Sequence, residues 1–67
     1  MGNVSFTIEE ENLICIYHKH DRRRTIAAIS DALPDMDGEM TALARQTLAK
    51  LDAMTDADFE AWKFHFT

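Results

Sequence analysis

One stretch decides the fold: Phe6-Thr7-Ile8-Glu9-Glu10-Glu11-Asn12-Leu13-Ile14-Cys15-Ile16-Tyr17, in which a helix-start signal runs into five consecutive apolar residues. Thr7 and Glu10 are spaced as a capping box, in which each side chain accepts a hydrogen bond from the backbone N–H of the other residue. The three glutamates Glu9–Glu11 suit the positive end of a helix dipole. The sequence therefore predicts a first helix that begins at Ile8.

The rest of the chain predicts further helices, because two glycines and one proline among 67 residues leave little room for turns. The prediction is an all-α, small compact bundle of about four short helices, at about 8–18, 22–33, 38–54 and 56–64. The first helix is expected to be central and the third to be the longest. Asp21, either Asp35 or Asp37, and Thr55 are the expected caps of the later helices, and Pro34 is expected to end the second helix. The whole chain, 1–67, is one helical domain, with residues 1–5 expected to be flexible.

Apolar residues at intervals of three and four predict the faces that meet in the core. They are Leu13, Ile14, Ile16 and Tyr17 in the first helix, Ile26, Ile29 and Leu33 in the second, Met40, Leu43, Ala44, Thr47, Leu48, Leu51 and Met54 in the third, and Phe59, Trp62 and Phe66 in the last. Two segments keep a β-strand alternative. Residues 13–17 are rich in strand-favouring side chains, and the alternating aromatics of 62–66 could pair with 4–6, although such an isolated pair is marginal in water.

The charge and the single cysteine limit the class of protein. Twelve acidic and seven basic residues give a formal net charge of −5, which argues against binding a nucleic-acid backbone with the whole surface. A lone cysteine, Cys15, suits a reducing compartment better than a disulfide-stapled secreted fold. The N-terminus has no signal-peptide pattern, and the longest apolar run, 13–17, is much shorter than a membrane span. We therefore expect a soluble, cytoplasmic protein without a membrane partner.

One constellation in the first helix could carry chemistry. Glu11, Cys15 and His18 share a helical face, and all three side-chain types can bind metal ions. A metal site would need a fourth ligand such as His65, and a Cys–His nucleophile would need an oxyanion donor for which the sequence offers no glycine-rich turn. The preferred interpretation is a packed cysteine with a solvated histidine. We expect no catalytic residue, no metal site and no cofactor.

Two other clusters are candidates for binding. The run Arg22–Arg24, next to Lys19 and His20, could bind phosphate or an acidic partner. The preferred interpretation is internal charge balance with Glu9–Glu11 or Asp31. Aromatic residues also gather near the C-terminus, at positions 59, 62, 64 and 66. Most of them should close the small core, and at least one can remain exposed as an anchor for a partner.

Three blocks of sequence together resemble a known family. They are Phe6-Thr7-x-Glu9-Glu10-x-Asn12-Leu13-x-Cys15-Ile16-Tyr17, then Ala32-Leu33-Pro34-x-Met36, and Lys50-Leu51-x-x-Met54-Thr55-Asp56-x-x-Phe59. Their order and spacing resemble the transposon-transfer assisting proteins, which are small proteins carried on conjugative transposons. The resemblance implies a role in transfer of the element and brings no reaction, cofactor or catalytic residue. It implies that the matched apolar residues, including Ile16, fill the core, and it leaves Asn12 and Cys15 as candidates for a partner surface.

The resulting hypothesis is a non-enzymatic accessory protein that assists transfer of a conjugative transposon through contacts with an element-encoded transfer or recombination protein. A homodimer would serve equally well. The candidate partner surface comprises Asn12, Cys15, His18, Arg22, Arg23, Arg24, Trp62 and Phe64. The main alternative is a DNA-binding accessory or regulatory factor that uses Arg22–Arg24. Two further alternatives are a metal-responsive protein that uses Cys15 and His18, and an acidic mimic of DNA.

Overall fold

The computed structural model describes residues 5–63, apart from the side chain of Lys63. Within that range the chain forms four α-helices and a short 3₁₀ turn: α1 (Ile8–Tyr17), α2 (Arg22–Ala32), the turn Leu33–Asp35, α3 (Gly38–Ala53) and α4 (Asp56–Lys63). The all-α prediction is confirmed, and the first three predicted helices extend only one residue too far. The strand alternative for residues 13–17 is wrong. Trp62 is helical, while residues 1–4, Phe64 and Phe66 lie outside the described residues.

The start of each described helix is fixed by a local hydrogen bond. A side-chain oxygen of the cap accepts the backbone N–H three residues on, at Thr7–Glu10 (3.2 Å), Asp21–Arg24 (2.8 Å), Asp37–Met40 (2.8 Å) and Thr55–Asp58 (3.0 Å). These bonds satisfy amides that have no partner within the helix. The cap at Asp21 also places a carboxylate beside the three arginines that begin α2. The predicted caps are therefore confirmed, with Asp37 rather than Asp35 serving α3.

The described helices pack around one apolar core. Its buried members are Leu13, Ile14, Ile29, Ala44, Leu51, Met54 and Phe59. The most extensive packing is between α2 and α3; α1 lies against both, and α4 packs on α2. The helix expected to be central, α1, contacts both α2 and α3, and α2 contacts all three other helices. The expectation that α3 is the longest is confirmed, at 16 residues.

Two predicted core residues lie at the surface. Ile16 is 67% exposed and Met40 is 36% exposed. Ile16 follows Ile14 by two positions, which on a helix of 3.6 residues per turn places it on roughly the opposite side. Leu13 and Ile14 are both buried, and Ile16 lies outside the part of α1 that faces the core. Apolar content alone did not show which side of α1 would be buried.

A buried carboxylate joins α1 to α3. Glu10 is completely buried; its Oε1 accepts hydrogen bonds from the Thr7 backbone N–H (2.8 Å) and from Lys50 Nζ (2.7 Å). Its Oε2 accepts a bond from Gln46 Nε2 at 2.9 Å. Lys50 also donates to the Ser5 carbonyl at 3.0 Å. A side chain that the sequence assigned only to helix capping therefore holds three segments together.

Opposing effects act on the pKa of Glu10. Burial acts to raise this pKa, because it disfavours the charged carboxylate. Hydrogen bonds from Lys50, the Thr7 backbone and Gln46, together with the positive charge of Lys50, outweigh burial and hold the pKa below its ordinary value of 4.5. The carboxylate is therefore charged in the folded protein at neutral pH, and the charged form stabilises the fold.

Removing the cation should expose the cost of the buried charge. We expect Lys50→Met to lower the free energy of unfolding by about 3 kcal/mol, because breaking a buried pair from one side leaves the other charge without its partner. The measurement is urea unfolding followed by circular dichroism. Arg45→Met, at an exposed position of the same helix, is the control and should leave stability nearly unchanged. Equal stability of the two variants would contradict the role of the ion pair.

The same carboxylate predicts a dependence of stability on pH. A lowered folded-state pKa means that the stabilisation by Glu10 is complete above the unfolded-state pKa and is lost as the pH falls through the folded-state pKa. We expect the unfolding free energy of the wild type to fall as the pH is lowered below about 4.5. Glu10→Gln should be less stable at pH 7 and should lose less stability on acidification. Parallel pH profiles for the two proteins would contradict this assignment.

Candidate protein-contact surface

The side of α1 that faces away from the core is largely exposed. We define the outer face of α1 by four residues: Ile8, Asn12, Cys15 and Ile16. Ile8 is 77% exposed and Ile16 is 67% exposed, and Asn12 and Cys15 are exposed between them. Ile8 and Ile16 each lie four residues from Asn12, and Cys15 lies three residues from it, so the four residues share one side of the helix. The structure thus brings together two predicted partner residues, Asn12 and Cys15, with two isoleucines.

The isoleucines of this face were missed as surface residues. Ile8 follows the cap of α1, and Ile16 was expected in the core. The available signal was the spacing itself, because Ile8 and Ile16 lie on either side of Asn12 by four residues each, whereas Leu13 and Ile14 belong to the other side. The helix is consequently apolar on two sides, and only one of them is used by the described fold.

His18 does not lie with Cys15 on the outer face. It is the C-cap residue of α1, and its ring stacks on Phe59, with centroids 5.9 Å apart and planes inclined by 20°. Its Nε2 atom is buried and has no hydrogen-bond partner in the described part of the chain. His18 therefore serves the contact of α1 with α4. The expectation of a packed cysteine with a solvated histidine is wrong, because Cys15 is exposed and His18 packs on Phe59. Among residues 5–63, no group of three or more His, Cys, Asp or Glu side chains is placed to hold a metal ion.

The structure separates the three arginines by environment. The side chain of Arg22 is only 19% exposed; its Nε donates to Asp56 at 2.8 Å and its Nη1 to the carbonyl of Leu51 at 3.0 Å. It thereby ties the start of α2 to the end of α3 and to the start of α4. Arg23 and Arg24 are exposed, and Arg24 lies 3.7 Å from Asp21. The arginines were expected to be balanced by Glu9–Glu11 or Asp31. The acidic partner is instead Asp56 for Arg22 and Asp21 for Arg24.

Trp62 lies at the edge of the core. It is half-buried, and its ring lies 4.9 Å from that of Phe6 and 5.9 Å from that of Phe59, measured between centroids. These contacts close the end of the core where the segment before α1 meets α4. Trp62 thus packs within the domain. Phe64, the other aromatic of the predicted partner surface, lies outside the described residues.

An open groove that the sequence did not predict runs between the starts of α1 and α3. It is lined by Thr7, Glu9, Asp37, Glu39, Met40, Ala42, Leu43 and Gln46. Its lining includes three carboxylates, from Glu9, Asp37 and Glu39, so its electrostatic potential favours basic groups. The groove is formed by residues from both helices, so it exists only where α1 lies beside α3 in the folded protein.

Comparison with known proteins places the chain in a family. Residues 6–65 match the family described as "Putative transposon-transfer assisting protein" (TTRAP). The match covers nearly the whole chain, so the protein belongs to this family, as its three sequence blocks indicated. No match was found among curated proteins or among solved structures. Within residues 5–63, no helix combines the length and the apolar character needed to cross a membrane.

The different environments of Arg22 and Arg23 predict different effects of their substitution on stability. We expect Arg22→Ala to lower the free energy of unfolding by about 1 kcal/mol, because it leaves the Leu51 carbonyl without a charged donor. The lost pair with Asp56 contributes little, since that side chain is 74% exposed. Arg23→Ala should leave stability nearly unchanged, because its side chain is exposed. Chemical unfolding of both variants measures the difference. If Arg23→Ala were as destabilising as Arg22→Ala, the assignment of Arg22 to helix tethering would be wrong.

Proposed function

We propose that this protein is a non-enzymatic, cytoplasmic accessory protein of a conjugative transposon. It assists transfer by binding an element-encoded transfer or recombination protein. The family supplies the connection with transposon transfer, and the outer face of α1 carries the proposal of a protein contact. That face presents two isoleucines that the described core does not use.

The energetics of the outer face favour a protein contact. Burial of an exposed isoleucine side chain contributes roughly 1.5–3 kcal/mol, so Ile8 and Ile16 together can supply a substantial part of a moderate affinity. Asn12 and Cys15 lie between them and add groups that can donate and accept hydrogen bonds. Apolar and polar groups side by side are compatible with a protein–protein interface, which is only about as apolar as the rest of a protein surface.

The charges around α1 favour a protein partner over nucleic acid. The cations at the end of α1 and the start of α2 are Lys19, Arg23 and Arg24, which are exposed, whereas Arg22 is engaged with Asp56. So few cations on a chain of net charge −5 would give weak, salt-sensitive binding to DNA. They suit a partner in which acidic side chains border an apolar patch.

Co-purification from cells that carry the intact element tests the proposal. The tagged wild type is purified at two salt concentrations with nuclease present, and the bound proteins are identified by mass spectrometry. We expect an element-encoded transfer or recombination protein in stoichiometric amount. Ile16→Lys should lower its recovery at least about tenfold, since 1.4 kcal/mol of lost burial is sufficient for that change. Ala53→Lys, at the exposed end of α3, is the matched control and should retain the partner.

Three other results would overturn the proposal. Recovery of element DNA that is lost at higher salt and in Arg23→Ala would favour the DNA-binding alternative. Recovery of the tagged protein alone would contradict the proposed binding of a transfer or recombination protein. Equal recovery of the partner by Ile16→Lys and wild type would show that the contact lies elsewhere.

A further inference from the structure

We infer that the outer face of α1 binds a second copy of this chain, with the two α1 helices antiparallel about a two-fold axis at Asn12. This inference deepens the proposed function and in one respect rests on it: a transfer protein that docks on this face must displace the second copy. Self-association thereby regulates access to the docking site. The dimer itself follows from features of α1 that stand independently of any partner.

The first feature is the symmetric spacing of the exposed isoleucines. Ile8 precedes Asn12 by four residues, and Ile16 follows it by four. They are separated by about 12 Å along the helix axis, at 1.5 Å per residue. A two-fold axis at Asn12 places Ile8 of each copy beside Ile16 of the other. The two apolar contacts are identical, as an isologous interface requires.

The second feature is the distribution of charge along the helix. The first turn carries Glu9, Glu10 and Glu11, and the last turn has no acidic residue and is followed by exposed Lys19. In the antiparallel arrangement the exposed acids of one copy lie towards the lysine of the other, and the two helix dipoles oppose each other favourably. A parallel arrangement would bring like charges together at both ends. Charge complementarity therefore selects the antiparallel orientation.

The third feature is the polar residue at the centre. With the axis at Asn12, the two asparagine side chains face each other, and each amide can both donate and accept a hydrogen bond. A central asparagine pair between helices fixes register and orientation at some cost in stability. The same residue was left unexplained by the sequence. Its position midway between two exposed isoleucines gives it a role.

The size of the face limits the strength of the dimer. The face belongs to a helix of 10 residues, about 15 Å long, which is smaller than the interfaces of stable complexes. We therefore expect weak, reversible association, detected at protein concentrations of about 0.1–1 mM, where contacts of this size are populated. A weak dimer is also the kind that a dedicated partner can displace.

A mixing experiment tests both the association and its geometry. Ile8→Glu and Ile16→Lys are prepared separately; each change suits the helix dipole at its position, so circular dichroism should show both variants folded. Sedimentation equilibrium should show concentration-dependent dimers for the wild type and for Ala53→Lys. Each outer-face variant alone should be at least about tenfold weaker, since each dimer would bury an unpaired charge twice.

An equimolar mixture of Ile8→Glu and Ile16→Lys should recover association. In the antiparallel dimer the new carboxylate faces the new ammonium at one contact, and the two remaining isoleucines meet at the other. A parallel dimer offers no such pairing, so it would not recover on mixing. The inference is overturned if the wild type stays monomeric throughout, if the single variants dimerise normally, or if the mixture stays as weak as its components. These measurements use purified protein alone, so they test the dimer independently of the transfer protein. The dimer can be absent while the co-purification identifies a partner, and the dimer can form while no partner is recovered.

Discussion

The ion pair between Glu10 and Lys50 is the interaction on which the rest of the structure depends. A buried carboxylate is costly unless its oxygens are hydrogen-bonded and its charge is paired. Here one oxygen accepts from Lys50 and the Thr7 backbone and the other from Gln46. The start of α1, the middle of α3 and the segment before α1 are therefore held together by a single group. A domain of this size has little apolar area with which to replace such a contact.

The orientation of α1 follows from this contact. With Glu10 directed at α3, Leu13 and Ile14 must enter the core, and the residues on the opposite side must face solvent. Ile8 and Ile16 are then exposed together with Asn12 and Cys15. One buried charge thus determines which isoleucines stabilise the domain and which are available for binding. The structural role and the proposed binding role of α1 are two consequences of the same geometry.

A similar division separates residues that look alike in the sequence. Arg22 tethers α2 to Asp56 and to the carbonyl of Leu51, while Arg23 projects from the surface. His18 packs on Phe59, while Cys15, three residues earlier, is exposed. The arginine run therefore contains both a residue that stabilises the fold and residues that can bind a partner. The same is true of the predicted Glu11–Cys15–His18 face.

The sequence by itself determined the number of described helices and their starts. The reason is that caps act between residues three apart, as in Thr7 with Glu10 and Asp37 with Met40, so their signals are visible in the order of residues. It also indicated the family and two residues of the outer face, Asn12 and Cys15. Only the tertiary structure decided which side of α1 is buried. The partners of Glu10 in α3 and the partners of Arg22 lie 29 to 40 residues away. Contacts at that separation depend on how the helices pack rather than on any local pattern.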